Sequence, residues 1–502
     1  MDCAGARRTA RSEQSDRLWL VLLALASAGR DAATEQTGHR ARPPGVMRLS
    51  KSLADMPPLH PPRERGGQRG GEPRVRRGPR GGVSLWIIFA LALFLRWAAF
   101  YLLYFVYKTP GGIHPSPIAS EVYDLLAREL LSGRGFETWM FAYRPPLAPM
   151  FFATVYAVAR TGDPLIPTFA QTVVSASVCL LAYALAAELG ADERTRKMIA
   201  LLVAIDPASI AIGLVLAGET LANFFIASSL IFLARLLKGG RLRDAAACGG
   251  SMVLAAMARP NAIYFAIVVA VVIVWLAPRW LPKAGLMLAV FALGVLPWYV
   301  RNYAYHQLFT FATTGNFNLL FYKAVSVEAL ATGKPINEIQ TELTYELESR
   351  LGIATPRDTY DYNAIWRQVV PTSPQADAMM RDMAVEIYLA HPVEYLLTMP
   401  IYLVKLLAFT DLYESFGIAK WVEVVFNVLL YGLAALGAFA LTRSKQWNWL
   451  AAAAAPTVYF IAVPMITGGV QDTRARTNVT VCIALMAARG IGALWSRWHE
   501  RK

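Results

Sequence analysis

From residue 83 onward, long apolar runs alternate with short polar joints. A helix needs about 20 apolar residues to cross the hydrocarbon of a bilayer. The runs at 83–107, 165–188, 197–213, 219–237, 244–258, 260–278, 281–299, 421–441, 448–467 and 477–495 are read as spans. Two more apolar segments fit less well. The first, 146–160, gives only about 22 Å of helix, and 394–411 is interrupted by Pro400 and Lys405. Both are expected to be re-entrant or surface-lying helices on the outer side. The pattern predicts an all-α polytopic membrane protein, a bundle of about 10–12 transmembrane helices with helices in its outer loops.

Basic clusters orient the bundle. Arg74/Arg76/Arg77/Arg80, Arg194/Arg196/Lys197, Lys238/Arg241/Arg243, Arg279/Lys283, Arg443/Lys445 and Arg497/Arg501/Lys502 fall on one side if the ten runs cross and the two exceptions do not. That side is cytoplasmic by the positive-inside bias, and so are both termini, in a plasma (inner) membrane of bacterial type. The domain reading is a tail at 1–82, an N-terminal transmembrane module at 83–303 with its first outer loop at 108–145, an outer segment at 304–392, and C-terminal transmembrane helices at 393–502. The outer segment shows helical stretches at Asn337 to Leu351 and Ala376 to Ala390, and too little apolar surface for a clear core of its own. A loop of that length between spans is usually functional, here as a lid or acceptor platform.

Composition agrees with the membrane reading. Of the 502 residues, 56% are hydrophobic and 17% charged, and the mean hydropathy is +0.38, which excludes an ordinary water-soluble surface. A net charge of +14 would suggest nucleic acid in a soluble protein. In a multi-pass chain it reports orientation, so no nucleic-acid partner is expected. The tail holds sixteen basic against eight acidic residues and a Pro/Gly/Arg run from Pro57 to Gly82, a disordered composition. Within it, Leu18 to Ala28 before Gly29 resembles a short signal core. A start codon set too early is the preferred explanation, with Met47 or a later residue as the natural beginning. Cys3, Cys179, Cys248 and Cys482 have no metal-ligand spacing, and no disulfide framework is supported. Walker A, dinucleotide-binding, HExxH and GxSxG motifs are absent from the sequence.

On this topology the out-of-place polar residues converge on one outer face. The helix read over Ile118 to Ser132 carries an apolar stripe of Tyr123, Leu126, Ala127, Leu130 and Leu131, with Glu121, Asp124 and Arg128 opposite. They are either two carboxylates, Glu121 and Asp124, held over a cavity mouth, or a solvated face with an i,i+4 Asp124–Arg128 pair. Arg144 opens the next segment in Tyr143-Arg144-Pro145-Pro146, and Arg259-Pro260-Asn261 repeats the arrangement between two apolar runs. Each is either an interfacial anchor or an anion contact. Glu219 caps a span or takes part in the site, and His391 before Pro392 is either structural or catalytic. Arg301, Arg474 and Arg476 complete an outward basic set, where positive charge is normally avoided. A membrane-embedded anion such as a lipid phosphate would explain that set.

The landmarks occur in a recognisable order: Leu126 to Phe136 after the acidic helix, Tyr143 to Pro146, Asp206-Pro207, Gly218-Glu219-Thr220, Arg259-Pro260, Pro297-Trp298 with Arg301-Asn302-Tyr303, and Arg474-Ala475-Arg476. The ordered set resembles the GT-C superfamily of membrane glycosyltransferases, in particular its bacterial protein mannosyltransferase and aminoarabinose transferase-like branch. The resemblance covers nearly the whole chain from about residue 83. It implies a GT-C-like bundle, a polyprenyl-phosphate-linked sugar as donor, an unidentified acceptor hydroxyl, and inverting transfer on the extracytoplasmic face. It also implies a first-loop carboxylate as general base. Where that branch commonly has Asp, four residues before Tyr123, this chain has Ala119. Glu121 is then the expected base, with Asp124 second. Arg144, Arg259, Arg301, Arg474 and Arg476 would bind the donor phosphate. Glu219, Tyr123, Asn302 and His391 would orient substrate, and Glu219 would hold a divalent cation if one is used. The alternative is a polytopic transporter or ligase of lipid-linked glycans without this donor chemistry.

Overall fold

The computed structural model describes residues 84–106, 122–136, 142–353, 373–408, 418–468 and 474–500. These belong to one compact unit, Val83–Lys502, and no strand occurs among them. The tail and Glu121 lie outside the described residues.

The helices are α1 (Leu85–Tyr101, prolonged by a wider turn over Leu102–Val106), α2 (Tyr123–Leu131), α3 (Leu147–Ala159), α4 (Leu165–Glu188), α5 (Glu193–Ala204), α6 (Pro207–Ile212) and α7 (Glu219–Gly239). They continue as α8 (Leu242–Ala258), α9 (Phe265–Leu276), α10 (Leu281–His306), α11 (Thr314–Asn318), α12 (Val325–Thr332) and α13 (Ile336–Arg350). The chain closes with α14 (Pro374–Ala390), α15 (Pro392–Ala408), α16 (Ile418–Arg443), α17 (Trp447–Thr467), α18 (Arg474–Thr477) and α19 (Thr480–Glu500).

Among the described residues six helical segments are long and apolar enough to cross a membrane: Leu85–Val106, Leu165–Glu188, Glu219–Gly239, Pro278–His306, Trp421–Arg443 and Trp447–Thr467. A seventh is added if α14 and α15, bent by 103° at His391, count as one span. This is fewer than the ten runs read from hydropathy, and each difference has a local cause. The run at 197–213 divides at Asp206, whose carboxylate caps α6 from outside while Pro207 fills its first turn. The run at 260–278 begins with a tight turn over Pro260–Ala262, leaving 12 residues in α9. Helix α8 has 17 residues, about 25 Å. Helix α19 is long enough, but Arg489, Arg497 and Glu500 make it too polar. The first half of α19 is instead buried in the bundle, where Gly437 of α16 faces the Met486 carbonyl and Gly490 of α19 faces that of Leu433. Small residues at both points let the two backbones touch.

The described members of the basic clusters gather at one end of the bundle; Arg74, Arg76, Arg77, Arg80, Arg501 and Lys502 lie outside the described residues. Glu188 at the end of α4 pairs with Arg235 at 2.8 Å and Lys238 at 3.4 Å on α7. Trp449 Nε1 donates to the Leu189 carbonyl at 2.8 Å, and the Arg194 guanidinium lies 4.6 Å from the Trp495 ring centre. Lys283 lies over Trp280, which closes against Gly240. The one-sided basic pattern of the sequence is thus a spatial cluster.

At the opposite end, the outer segment does have a core, contrary to the sequence expectation. Leu320, Ala324, Val325, Ile339, Leu343, Leu347, Met380, Met383 and Ala384 form a buried cluster that takes in Tyr143 from the first half of the chain. Each helix contributes only one stripe (Ile339, Leu343 and Leu347 on α13; Met380, Met383 and Ala384 on α14), so no single stretch looks like a core. The helices read at Asn337 to Leu351 and Ala376 to Ala390 form as α13 and α14.

Candidate active site

The site is built where α2, the start of α7 and the end of α8 meet. Gly218, just before α7, abuts the Ala258 carbonyl, and any Cβ there would also fall 2.9 Å from the Tyr123 hydroxyl. Only glycine allows this approach. Arg259 follows with extended backbone (φ −148°, ψ 127°), the conformation favoured before a proline. Its side chain makes a buried ion pair with Glu219, and the two side chains are 8% and 1% exposed. Both Glu219 carboxylate oxygens lack a hydrogen-bond partner among the described residues, so Arg259 is the charge that compensates them. Removing one partner from such a pair strands the other in a medium where charge is expensive.

Arg259 also lines a cleft of about 560 Å³, together with Arg144 and Arg474. Three of the five arginines predicted from sequence therefore converge. The Arg144 guanidinium lies 4.5 Å from the centre of the Tyr143 ring and 5.5 Å from that of Tyr123, and donates to Thr314 Oγ1 at 3.3 Å. The Tyr143–Arg144 strap is itself fixed, because Thr313 N–H donates to the Ala142 carbonyl at 3.1 Å and the Thr314 hydroxyl donates to that of Tyr143. On the far wall Tyr459 of α17 donates to the Asn261 carbonyl at 2.7 Å, holding the Arg259-Pro260-Asn261 corner. Tyr264, Tyr299, Phe309 and Phe311 supply apolar lining. Cations on an aromatic and aliphatic wall suit an amphiphile with an anionic head.

Other predicted site residues lie elsewhere. Arg476 is fully buried, donating to Asp206 Oδ1 at 2.7 Å, Asn427 Oδ1 at 2.8 Å and Thr480 Oγ1 at 3.3 Å. It staples α6, α16 and α19 together and does not line the cleft. On the short helix α18, residues two apart point roughly 200° from each other, so Arg474 meets the cleft while Arg476 turns inward. Arg301 donates to Asn302 Oδ1 at 3.0 Å, lies 3.1 Å from His306 Nε2 and stacks near Trp298 and Tyr305. Asn302 is buried and donates to the Thr310 carbonyl at 2.8 Å, shaping the loop that carries Phe309 and Phe311. Asp124 pairs with Arg128 at 2.9 Å and accepts from the Tyr156 hydroxyl, so the i,i+4 pair foreseen in the sequence does form. His391 faces Glu328 at 3.5 Å on the outer segment. Leu131, assigned to the apolar stripe of α2, is half exposed, while Tyr123, Leu126 and Ala127 are buried.

Three buried groups escaped the sequence reading as site candidates. Arg96, a lone arginine inside α1, donates to Ser175 Oγ at 2.8 Å and to the Ala204 carbonyl at 3.1 Å; its isolation in an apolar run was the available signal. Asp206 appeared only as a landmark before proline. Lys323, in the outer segment, is fully buried, donates to the Met465 carbonyl at 2.7 Å and sits 4.7 Å from the Tyr402 ring centre. Burial pushes its ammonium down to about 8. The unfolded chain, with an ordinary lysine near 10.4, binds more protons between those values, so stability rises with pH from about 8 to about 10.4 and is level below. Thermal unfolding of detergent-solubilised protein across that window checks this. Lys323→Met is expected to remove this part of the rise.

No group of three His, Cys, Asp or Glu side chains that could hold a metal comes together among the described residues, and Glu219, the residue read as a cation holder, is paired with Arg259.

No protein-family model matches the chain, and no curated protein matches it. Solved structures do resemble it. One is the archaeal oligosaccharyltransferase AglB from Archaeoglobus fulgidus in complex with an inhibitory peptide and a dolichol-phosphate, with 11% identity and a TM-score of 0.48 over 83% of this chain and 51% of that one. Another is ArnT from Cupriavidus metallidurans bound to undecaprenyl phosphate, with 12% identity and a TM-score of 0.36 over 82% of this chain and 78% of that one. The chain spans about half the length of the archaeal enzyme. Among the described residues the chain is all-α, with six or seven helical segments long and apolar enough to cross a membrane, and its likeness to these two solved membrane proteins is one of fold at low identity.

Proposed function

We infer that this protein is a membrane glycosyltransferase that moves a sugar from a polyprenyl-phosphate donor to an acceptor hydroxyl, with inversion at the anomeric carbon. The observation that carries this reading is the convergence of Arg144, Arg259 and Arg474 on one aromatic-lined cleft. In the transfer, the acceptor oxygen attacks the anomeric carbon as the bond to the lipid phosphate breaks. Negative charge grows on the departing phosphate oxygen, and fixed guanidinium groups stabilise it most in a cleft that excludes water. The polyprenyl chain would lie against the apolar lining. The acceptor must lose a proton, which calls for a carboxylate base. Glu121 is our assignment, two residues before Tyr123, whose ring neighbours Arg144. Asp124, engaged by Arg128 and Tyr156, is less suited to that role. Glu219 is proposed to orient the substrate through Arg259 instead of touching it. The basic clusters gather at the opposite end of the bundle, which supports an extracytoplasmic cleft.

Reconstituted protein supplied with a labelled polyprenyl-phosphate sugar and membrane acceptors tests the reading. Wild type is expected to release polyprenyl phosphate and label an acceptor, and Glu121→Gln to slow this by about 10²–10⁴-fold. Undiminished transfer by Glu121→Gln would remove the base assignment. Wild type that carries intact lipid across the bilayer without sugar transfer would replace the whole reading with a transporter.

A further inference from the structure

A second charged cleft lies at the basic end of the bundle, remote from the arginine cleft. It has a volume of about 580 Å³ and is formed by the end of α7, the turn that follows it and the start of α8. Its cations are Arg235, Lys238, Arg241 and Arg243, set against the carboxylates Glu188 and Asp244. Glu188 is taken up by both Arg235 and Lys238. Among the described residues the Arg241 and Arg243 side chains have no ion-pair or hydrogen-bond partner, and both residues are exposed.

Orientation across the bilayer requires positive charge near this end but not a concave site. Two further features give the cleft an amphiphilic character. Leu242, between the two arginines, is 62% exposed, so a large apolar side chain stands beside the cleft, outside its lining. Phe232 and Ala247 line the cleft beside the cations. A small free anion has no use for that apolar side, whereas a phospholipid presents a phosphodiester next to acyl chains. Guanidinium groups match a phosphate with paired N–H donors.

We propose that the cleft between α7 and α8 binds the phosphate headgroup of an anionic phospholipid, held mainly by Arg241 and Arg243. The site is independent of sugar transfer. Phosphatidylglycerol, phosphatidylcholine and inorganic phosphate are titrated against detergent-solubilised full-length protein, with lipid adducts and affinities read by native mass spectrometry. Phosphatidylglycerol is expected to bind in preference to phosphatidylcholine. Arg241→Gln/Arg243→Gln is expected to weaken it about thirtyfold, the scale of two basic contacts at an anionic membrane surface. Arg241→Lys/Arg243→Lys retains the charge and most of the binding, and an unchanged unfolding temperature shows that each variant folds. Arg497→Gln, an exposed charge at the same end and outside the cleft, leaves binding unchanged. Three outcomes overturn the proposal: equal binding of the two lipids, equal loss in Arg497→Gln, or displacement of the lipid by inorganic phosphate at matching concentration.

Discussion

Arg144→Ala and Arg474→Ala each lower sugar transfer by about 10²–10³-fold, the loss typical of deleting one fixed donor to a charge that develops in the transition state. Both side chains line the cleft beside Arg259, which is tied to the buried Glu219. The fall should therefore appear in kcat, with the unfolding temperature little changed. Arg144→Lys is expected to recover part of the activity, because an ammonium keeps the charge but loses the planar, paired donors that suit a phosphate and stack on Tyr143 and Tyr123. Arg301→Ala is the comparison: that guanidinium is engaged by Asn302 and His306 and does not line the cleft. A loss of about tenfold or less is expected there, well short of an oxyanion-type donor. Transfer rates in reconstituted membranes decide the matter. Equal losses at all three positions would mean that the cleft arginines act through the fold and not on the donor phosphate.

Arg476→Met has the largest expected effect on stability, about 3–5 kcal/mol, because it strands the buried Asp206 carboxylate. Asp206 and Arg476 are both fully buried, and the guanidinium also serves Asn427 and Thr480. The variant should unfold at markedly lower temperature in detergent. Asp206→Asn/Arg476→Met removes both charges and is expected to regain part of the loss, since the penalty comes mainly from the unpaired ion. Activity per folded molecule should change far less than in the cleft variants. A thermal unfolding series of the two singles and the double checks the coupling. Additive losses in the double variant would show that the pair is not a unit.

Much of the fold was legible in hydropathy. Six of the ten runs are helices able to span, and the short helix at 147–159 and the Pro392 helix are the two segments set apart in advance. The basic clusters forecast one charged end, and the Asp124–Arg128 pair followed from spacing on a single helix. Where hydropathy misled, burial was the reason. A run that packs inside protein, like the first half of α19, reads as apolar as one facing lipid, and the outer segment hides its core by dividing it among helices.

The sequence by itself determined the class of protein, because hydrophobicity and charge bias are summed over many residues and need no partner. It also supplied the arginines, as departures from that bias. What it could not decide was which of them act together. Arg144, Arg259 and Arg474 are separated by more than a hundred residues from one to the next, and helix packing alone brings them to one cleft. The same packing gives Arg259 its Glu219 and turns Arg476, two residues from Arg474, toward Asp206. A guanidinium has one chemistry wherever it stands in the chain; whether it meets a ligand or a buried carboxylate depends on which helix face it occupies and on what lies opposite, and only the tertiary structure fixes that.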